Sequence, residues 1–136
     1  MEQYFKTLHD HNLRATKPRE LVFLYLQKIA KPVDIKSITS DVATIDRVTI
    51  YRTLDAFIEI GIVSVVPFGW KRRYELAEPF IPHRHHIVCI NCGASRDIRS
   101  TALEGIIHQA IQDSGYKEIG HSIEVTGYCS KCQKDN

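Results

Sequence analysis

The chain has 136 residues, enough for one domain or for two small ones sharing a core. With 43% hydrophobic and 25% charged residues it sits in the range of folded globular proteins, which excludes intrinsic disorder. The longest apolar stretches, 21–26 and 60–70, are too short or too interrupted by Gly and Pro to span a bilayer. The first twenty residues carry charges where an export signal needs an apolar core, so a cytoplasmic protein with no membrane partner is expected.

In chain order, Thr16 offers an N-cap with Pro18 in the first turn of a helix, whose inward face is Leu21, Val22, Tyr25, Leu26 and Ile29. Pro32 closes it. A second short helix fits 34–42, with Ile35, Ile38 and Val42 inward. A third starts at Asp46, buries Ile50, Leu54, Phe57 and Ile58, and ends at Gly61. Two β-rich runs, 62–66 and 72–76, flank Pro67-Phe68-Gly69-Trp70, and three helices with a β-hairpin are the parts of a winged helix. Two prolines within 78–82 break the pattern and predict a linker over 77–82. Beyond it the chain reads as strand 85–89, strand 95–98, helix 102–114 and strand 122–128. Leu103, Ile106, Ile107, Ala110 and Ile111 form the helix's apolar stripe, and Gly115 ends it. The expectation is an α+β protein: a winged-helix DNA-binding domain (1–76), the linker, and a small metal-binding dimerisation domain (83–136) with a three-stranded sheet and one main helix. So small a sheet has little core of its own, which makes dimerisation across it a natural source of stability.

Charge and cysteine usage point to partners. Residues 1–75 carry a net +3 and residues 76–136 a net −1, a mildly basic front half compatible with phosphate contact. All four cysteines fall in two C-x-x-C pairs, Cys89/Cys92 and Cys129/Cys132. In a reducing compartment such pairs point to a metal rather than to disulfides, because two residues between thiolates let both reach one ion from a tight turn. Four sulfurs complete the tetrahedron that Zn²⁺ prefers and leave no open position, so the zinc would be structural. The competing reading, a redox dithiol, needs a pair that opens a helix in a βαβ setting, which neither pair has. Upstream, His83-Arg84-His85-His86 alternates its faces if extended, and alone it reads equally as a metal site or as a solvated strand end. In the third helix the buried stripe leaves Arg47, Thr49, Tyr51 and Arg52 outward near the N-terminal end. That is where a recognition helix meets base edges, although an ordinary amphipathic helix has the same pattern. Lys71, Arg72 and Arg73 in the hairpin are candidate phosphate contacts.

The order of Leu13-Arg14-Ala15-Thr16-Lys17-Pro18-Arg19, Val48-Thr49-Ile50-Tyr51-Arg52-Thr53-Leu54, His83-Arg84-His85-His86-Ile87-Val88-Cys89-Ile90-Asn91-Cys92-Gly93, His121 and Gly127-Tyr128-Cys129-Ser130-Lys131-Cys132 resembles the ferric uptake regulator superfamily over almost the whole chain. The resemblance implies metal-gated repression by a homodimer on a pseudo-palindromic double-stranded DNA site. It places the structural zinc on Cys89, Cys92, Cys129 and Cys132. DNA reading falls on Tyr51 and Arg52, with Arg14 and Arg19 as phosphate contacts. A second site for Zn²⁺, Fe²⁺ or Mn²⁺ falls on His83, His85, Glu104 and His121, although Thr101-x-x-Glu104 also fits a capping box. A further family site, near the hinge between domains, matches only in Glu75, His86 and Asp97. Lys31 and Arg84 stand where it has histidines, and neither cation can ligate a metal. No nucleophile–base pair points to an enzyme. The alternatives are a zinc-stabilised metal-buffering or protein-interaction module without sequence-specific DNA binding and, behind it, a zinc hydrolase.

Overall fold

The computed structural model describes residues 1–135. The chain divides into two units between His83 and Arg84. The first contains α1 (Glu2–Asp10), α2 (Lys17–Ile29), β1 (Val33–Asp34), α3 (Ile35–Asp41), α4 (Arg47–Glu59), β2 (Val63–Phe68) and β3 (Lys71–Leu76). Two helices start on side-chain caps: Asp34 accepts from the Ser37 N–H at 2.8 Å, and Asp46 accepts from the Thr49 N–H at 2.9 Å. Thr16 occupies the N-cap of α2 but makes no side-chain cap bond there. After α4, Gly61 at φ 73° turns the chain into β2.

The strands form an antiparallel sheet in the order β1-β3-β2. The register pairs Phe68 with Lys71, leaving Gly69 (φ 57°) and Trp70 as a two-residue turn. Helices and sheet enclose Val22, Phe23, Leu26, Ile38, Ile50, Leu54, Phe57, Ile62 and Leu76, all almost fully buried. Shortening a ring such as Phe57 to alanine in a core of this kind costs about 3–5 kcal/mol. α1, absent from the sequence reading, belongs to this core: Tyr4 lies 4.3 Å from Phe23 between ring centroids and meets Phe57 edge-on. Residues 77–82 are not bare linker. Phe80 and Ile81 pack on the same core, and the Phe80 ring sits 5.4 Å from Phe23.

The second unit contains β4 (His85–Cys89), β5 (Ser95–Ile98), α5 (Thr101–Ser114), β6 (Glu124–Gly127) and a 3-10 turn, Cys132–Asp135. Its sheet runs β5-β4-β6, with β4 antiparallel to β5 and parallel to β6. A parallel pair needs a crossover, and α5 lies within it. Ser100 caps α5, accepting from the Leu103 N–H at 3.2 Å, and Gly115 at φ 76° ends the helix. The apolar stripe of α5 is covered only in part: Leu103, Ile107 and Ile111 are half-buried, no residue of the helix is fully buried, and Ile106 is 69% exposed. The physical reason is supply: among the described residues the buried apolar side chains of this unit are Val88, Cys89 and Cys132.

Candidate metal centres and DNA-reading surface

The four cysteines converge from two turns. Cys89 ends β4, and the chain reverses through Gly93 at φ 74°, closed by a Gly93 N–H bond to the Cys89 carbonyl at 2.9 Å. Cys129 follows β6, and its carbonyl accepts from the N–H groups of Cys132 and Gln133 at 3.0 and 2.9 Å. The parallel β4–β6 pair, with Cys89 opposite Gly127, brings the two turns side by side. All four sulfurs lie within 4.8 Å of one another, none is in a disulfide, and Cys92 Sγ is 3.7 Å from Cys129 Sγ. A tetrahedron with ~2.3 Å zinc–sulfur bonds has an edge of about 3.8 Å.

The protonation chemistry favours a cation. Backbone N–H groups of Cys129 and Cys92 stabilise the Cys89 thiolate and hold its pKa down at about 6. Those of Cys132 and Lys131 lower Cys129 as well. The Asn91 amide donates to Cys132 Sγ at 3.2 Å, yet the neighbouring sulfurs outweigh it and push Cys132 up to about 11. Clustered thiolates resist sharing negative charge, and a divalent ion removes that conflict.

A second cluster joins His83, at the division between units, to His85, Glu104 and His121, with ligand atoms within 4.8 Å of one another. His85 is 1% exposed on β4. Glu104 stands in the first turn of α5, and its two oxygens face two imidazoles: Oε1 is 2.8 Å from His85 Nε2, and Oε2 is 2.9 Å from His121 Nε2. Ser100 supplies the cap, so the Glu104 carboxylate is turned to the histidines rather than to the helix end. Sequence reasoning missed Glu118. Its Oε1 is 2.5 Å from His121 Nδ1, and that hydrogen bond holds its carboxyl below the usual range. A lone acid in an irregular segment gives no periodic signal.

The remaining candidate ligands divide between the units. Glu75 is buried on β3 of the first unit, opposite Ser64. In the second unit, His86 Nε2 is 3.9 Å from Asp97 Oδ1, and Arg84 Nη1 is 3.0 Å from Asp97 Oδ2. Lys31 is exposed in the turn after α2.

On α4, Tyr51 and Arg52 face outward, with Arg47 Nη2 donating to the Tyr51 hydroxyl at 3.4 Å. Thr49 is half-buried and spends its hydroxyl on Asp46 at 2.6 Å, so it serves the cap of α4. Arg14 is exposed, whereas Arg19 is half-buried and donates to the Arg14 carbonyl at 2.6 Å. In the hairpin Lys71 and Arg72 are exposed, while Arg73 stacks on Phe68 at 4.5 Å. Trp70, at the tip, is 94% exposed and escaped the sequence reading as a surface group.

The chain is similar to known proteins in sequence and in fold. A sequence profile described as the ferric uptake regulator family matches residues 10–126. The ferric uptake regulation protein of Neisseria gonorrhoeae is 30% identical over 93% of this chain and 90% of its own. The peroxide operon regulator of Bacillus subtilis is 28% identical over 98% and 94%. In fold, the chain resembles the Helicobacter pylori ferric uptake regulator, described as having three functional metal-binding sites. The TM-score is 0.81 at 23% identity, covering 97% of this chain and 90% of that one. The profile spans most of the chain, which belongs to the ferric uptake regulator family and is a transcriptional regulator rather than an enzyme.

Proposed function

We propose that this regulator is a metal-responsive repressor that binds a pseudo-palindromic operator as a homodimer. Cys89, Cys92, Cys129 and Cys132 hold a structural Zn²⁺. His83, His85, Glu104 and His121 take an exchangeable divalent cation, Zn²⁺, Fe²⁺ or Mn²⁺. Tyr51 and Arg52 on α4 read DNA, with Arg14, Lys71 and Arg72 on phosphates. The observation that carries this reading is the pairing, in one chain, of an outward cationic and aromatic face on α4 with two clusters of metal-ligand side chains. Three N-donors and a carboxylate suit a borderline cation that exchanges, whereas four thiolates suit one that stays. At the mixed cluster the Ile123 N–H donates to His85 Nδ1 at 3.1 Å, which turns His85 Nε2 to Glu104 and the other members of the cluster. The homodimer is supported by the uncovered apolar surface of the second unit, which includes Ile106, Val125 and Ile87.

The test is operator selection from random duplex DNA, with metal content measured in parallel. Protein holding one Zn²⁺ per chain is expected to bind a two-fold symmetric site more tightly once Mn²⁺, Fe²⁺ or Zn²⁺ is added in excess. Tyr51→Ala and Arg52→Ala are each expected to weaken that binding at least tenfold at unchanged zinc content. Enrichment of no sequence, or equal binding by both variants, would favour a metal-buffering or protein-interaction module instead.

A further inference from the structure

His121 is held between two carboxylates. Glu104 Oε2 faces its Nε2 at 2.9 Å, and Glu118 Oε1 faces its Nδ1 at 2.5 Å. Glu118 is itself three-quarters buried, and its second oxygen lies 3.5 Å from Nδ1 of His108, which is well exposed on α5. We propose that Glu118 is a positioning residue that presets His121 as a metal ligand and thereby sets the affinity of the mixed cluster. The inference rests on the reading of that cluster as a cation site.

The argument is one of tautomers. A neutral imidazole carries one N–H and one lone pair. A carboxylate can only accept, so the nitrogen beside Glu118 donates to it, and the ring is held with its other nitrogen, Nε2, turned inward, where a cation can take the place of the proton shared with Glu104. Nε2 is the atom that faces Glu104 and the other members of the cluster. His85 shows the contrast. Its Nδ1 accepts from the Ile123 backbone N–H instead of donating. For His121 the outer nitrogen donates to Glu118, so a cation can take Nε2 while the ring keeps its proton on Nδ1. A carboxylate behind a metal-bound imidazole also increases the ring's basicity, and losing such a partner typically weakens metal binding about 10- to 100-fold. The competing role is mechanical: Glu118 would merely tie the segment after α5 to His108.

Four proteins separate these roles: wild type, Glu118→Ala, Glu118→Gln and His108→Ala, each carrying its structural Zn²⁺. Co²⁺ is the probe, titrated against a competing chelator and followed by its visible absorption. Glu118→Ala is expected to bind Co²⁺ about 10- to 100-fold more weakly. Glu118→Gln should recover part of the loss, because its amide oxygen still accepts from Nδ1–H, and His108→Ala should bind as wild type. Proton and nitrogen NMR of the Zn²⁺-loaded proteins should show the His121 Nδ1–H strongly hydrogen-bonded in wild type and His108→Ala and weakened in Glu118→Ala, which a tie to His108 does not require. Unchanged Co²⁺ affinity in Glu118→Ala, equal losses in Glu118→Ala and His108→Ala, or a His121 Nδ1–H as strongly bonded in Glu118→Ala as in wild type would each overturn the proposal while leaving the cation site standing. No exchangeable Co²⁺ in wild type would overturn the cation site itself, and the role of Glu118 with it.

Discussion

Arg84 brings a fixed positive charge into the second unit. Its side chain is 7% exposed and lies 3.0 Å from Asp97 Oδ2, with Arg99 at 3.5 Å from the same oxygen. A guanidinium stays protonated at any working pH and has no lone pair to offer a metal. His86, also buried, sits 3.9 Å from the other Asp97 oxygen and 3.8 Å from Glu124. These side chains have the chemistry of metal ligands, yet the cation nearest the Asp97 carboxylate is the protein's own. That arrangement predicts one exchangeable ion per chain, at the His83, His85, Glu104 and His121 cluster. Arg84→His should remove the resident cation and add a nitrogen donor, raising the Co²⁺ stoichiometry by one per chain with the structural Zn²⁺ retained. Equal stoichiometry in the two proteins would mean that Arg84 does not keep a metal from this position.

At the scale of elements, α2, α3 and α4 were legible because an N-cap residue and a 3.6-residue apolar repeat agree at each of them, with Pro18 and Pro32 bounding α2. α1 was not, because only Tyr4 and Leu8 turn inward while Phe5 between them is exposed, which blurs the repeat. β1, at two residues, is too short to carry a pattern. The cysteine turns were legible from spacing alone, since the C-x-x-C geometry is local. Glu104 was ambiguous until Ser100 proved to be the cap, and Glu118 was invisible because its partners are set by folding. The hairpin refines the sequence reading in a testable way. Lys71 and Arg72 are exposed beside the tip, whereas Arg73 stacks on Phe68 and stands opposite Asp34 in the sheet. Each phosphate contact contributes about 0.9 to the slope of log affinity against log salt. Lys71→Ala and Arg72→Ala should each lower that slope by up to this amount, while Arg73→Ala should leave it unchanged and loosen the hairpin. Trp70, the sole tryptophan, provides the readout, because its fluorescence should change as DNA meets the tip. If all three slopes equal that of wild type, the hairpin does not touch phosphate.

Across the whole molecule the two units differ in what stabilises them. The buried apolar cluster from Tyr4 to Leu76 lies wholly in the first unit, so its fold has a hydrophobic source of its own. Among the described residues the second unit has three buried apolar side chains, two of them cysteines of the sulfur cluster, and a helix with no buried residue. Burial within one chain is too small to offset the conformational entropy of ordering such a unit. The proposed function supplies two other sources: an ion that gathers the four thiolates, and a second copy that covers Ile106, Val125 and Ile87. Structural zinc in sites of this ligand type supplies on the order of 10 kcal/mol of folding free energy. The two sources are therefore linked, because the surface offered to a partner exists only when the sheet and α5 are in place. Removing zinc with a strong chelator, or replacing Cys92 with serine, should convert the dimer to monomers. In the same samples, amide protection should vanish across β4, β5, α5 and β6 and persist in α2 and α4. Sedimentation and hydrogen exchange measure the two effects separately. A zinc-free protein that stays dimeric with α5 protected would show that apolar contact between copies, and not the metal, holds this half of the molecule.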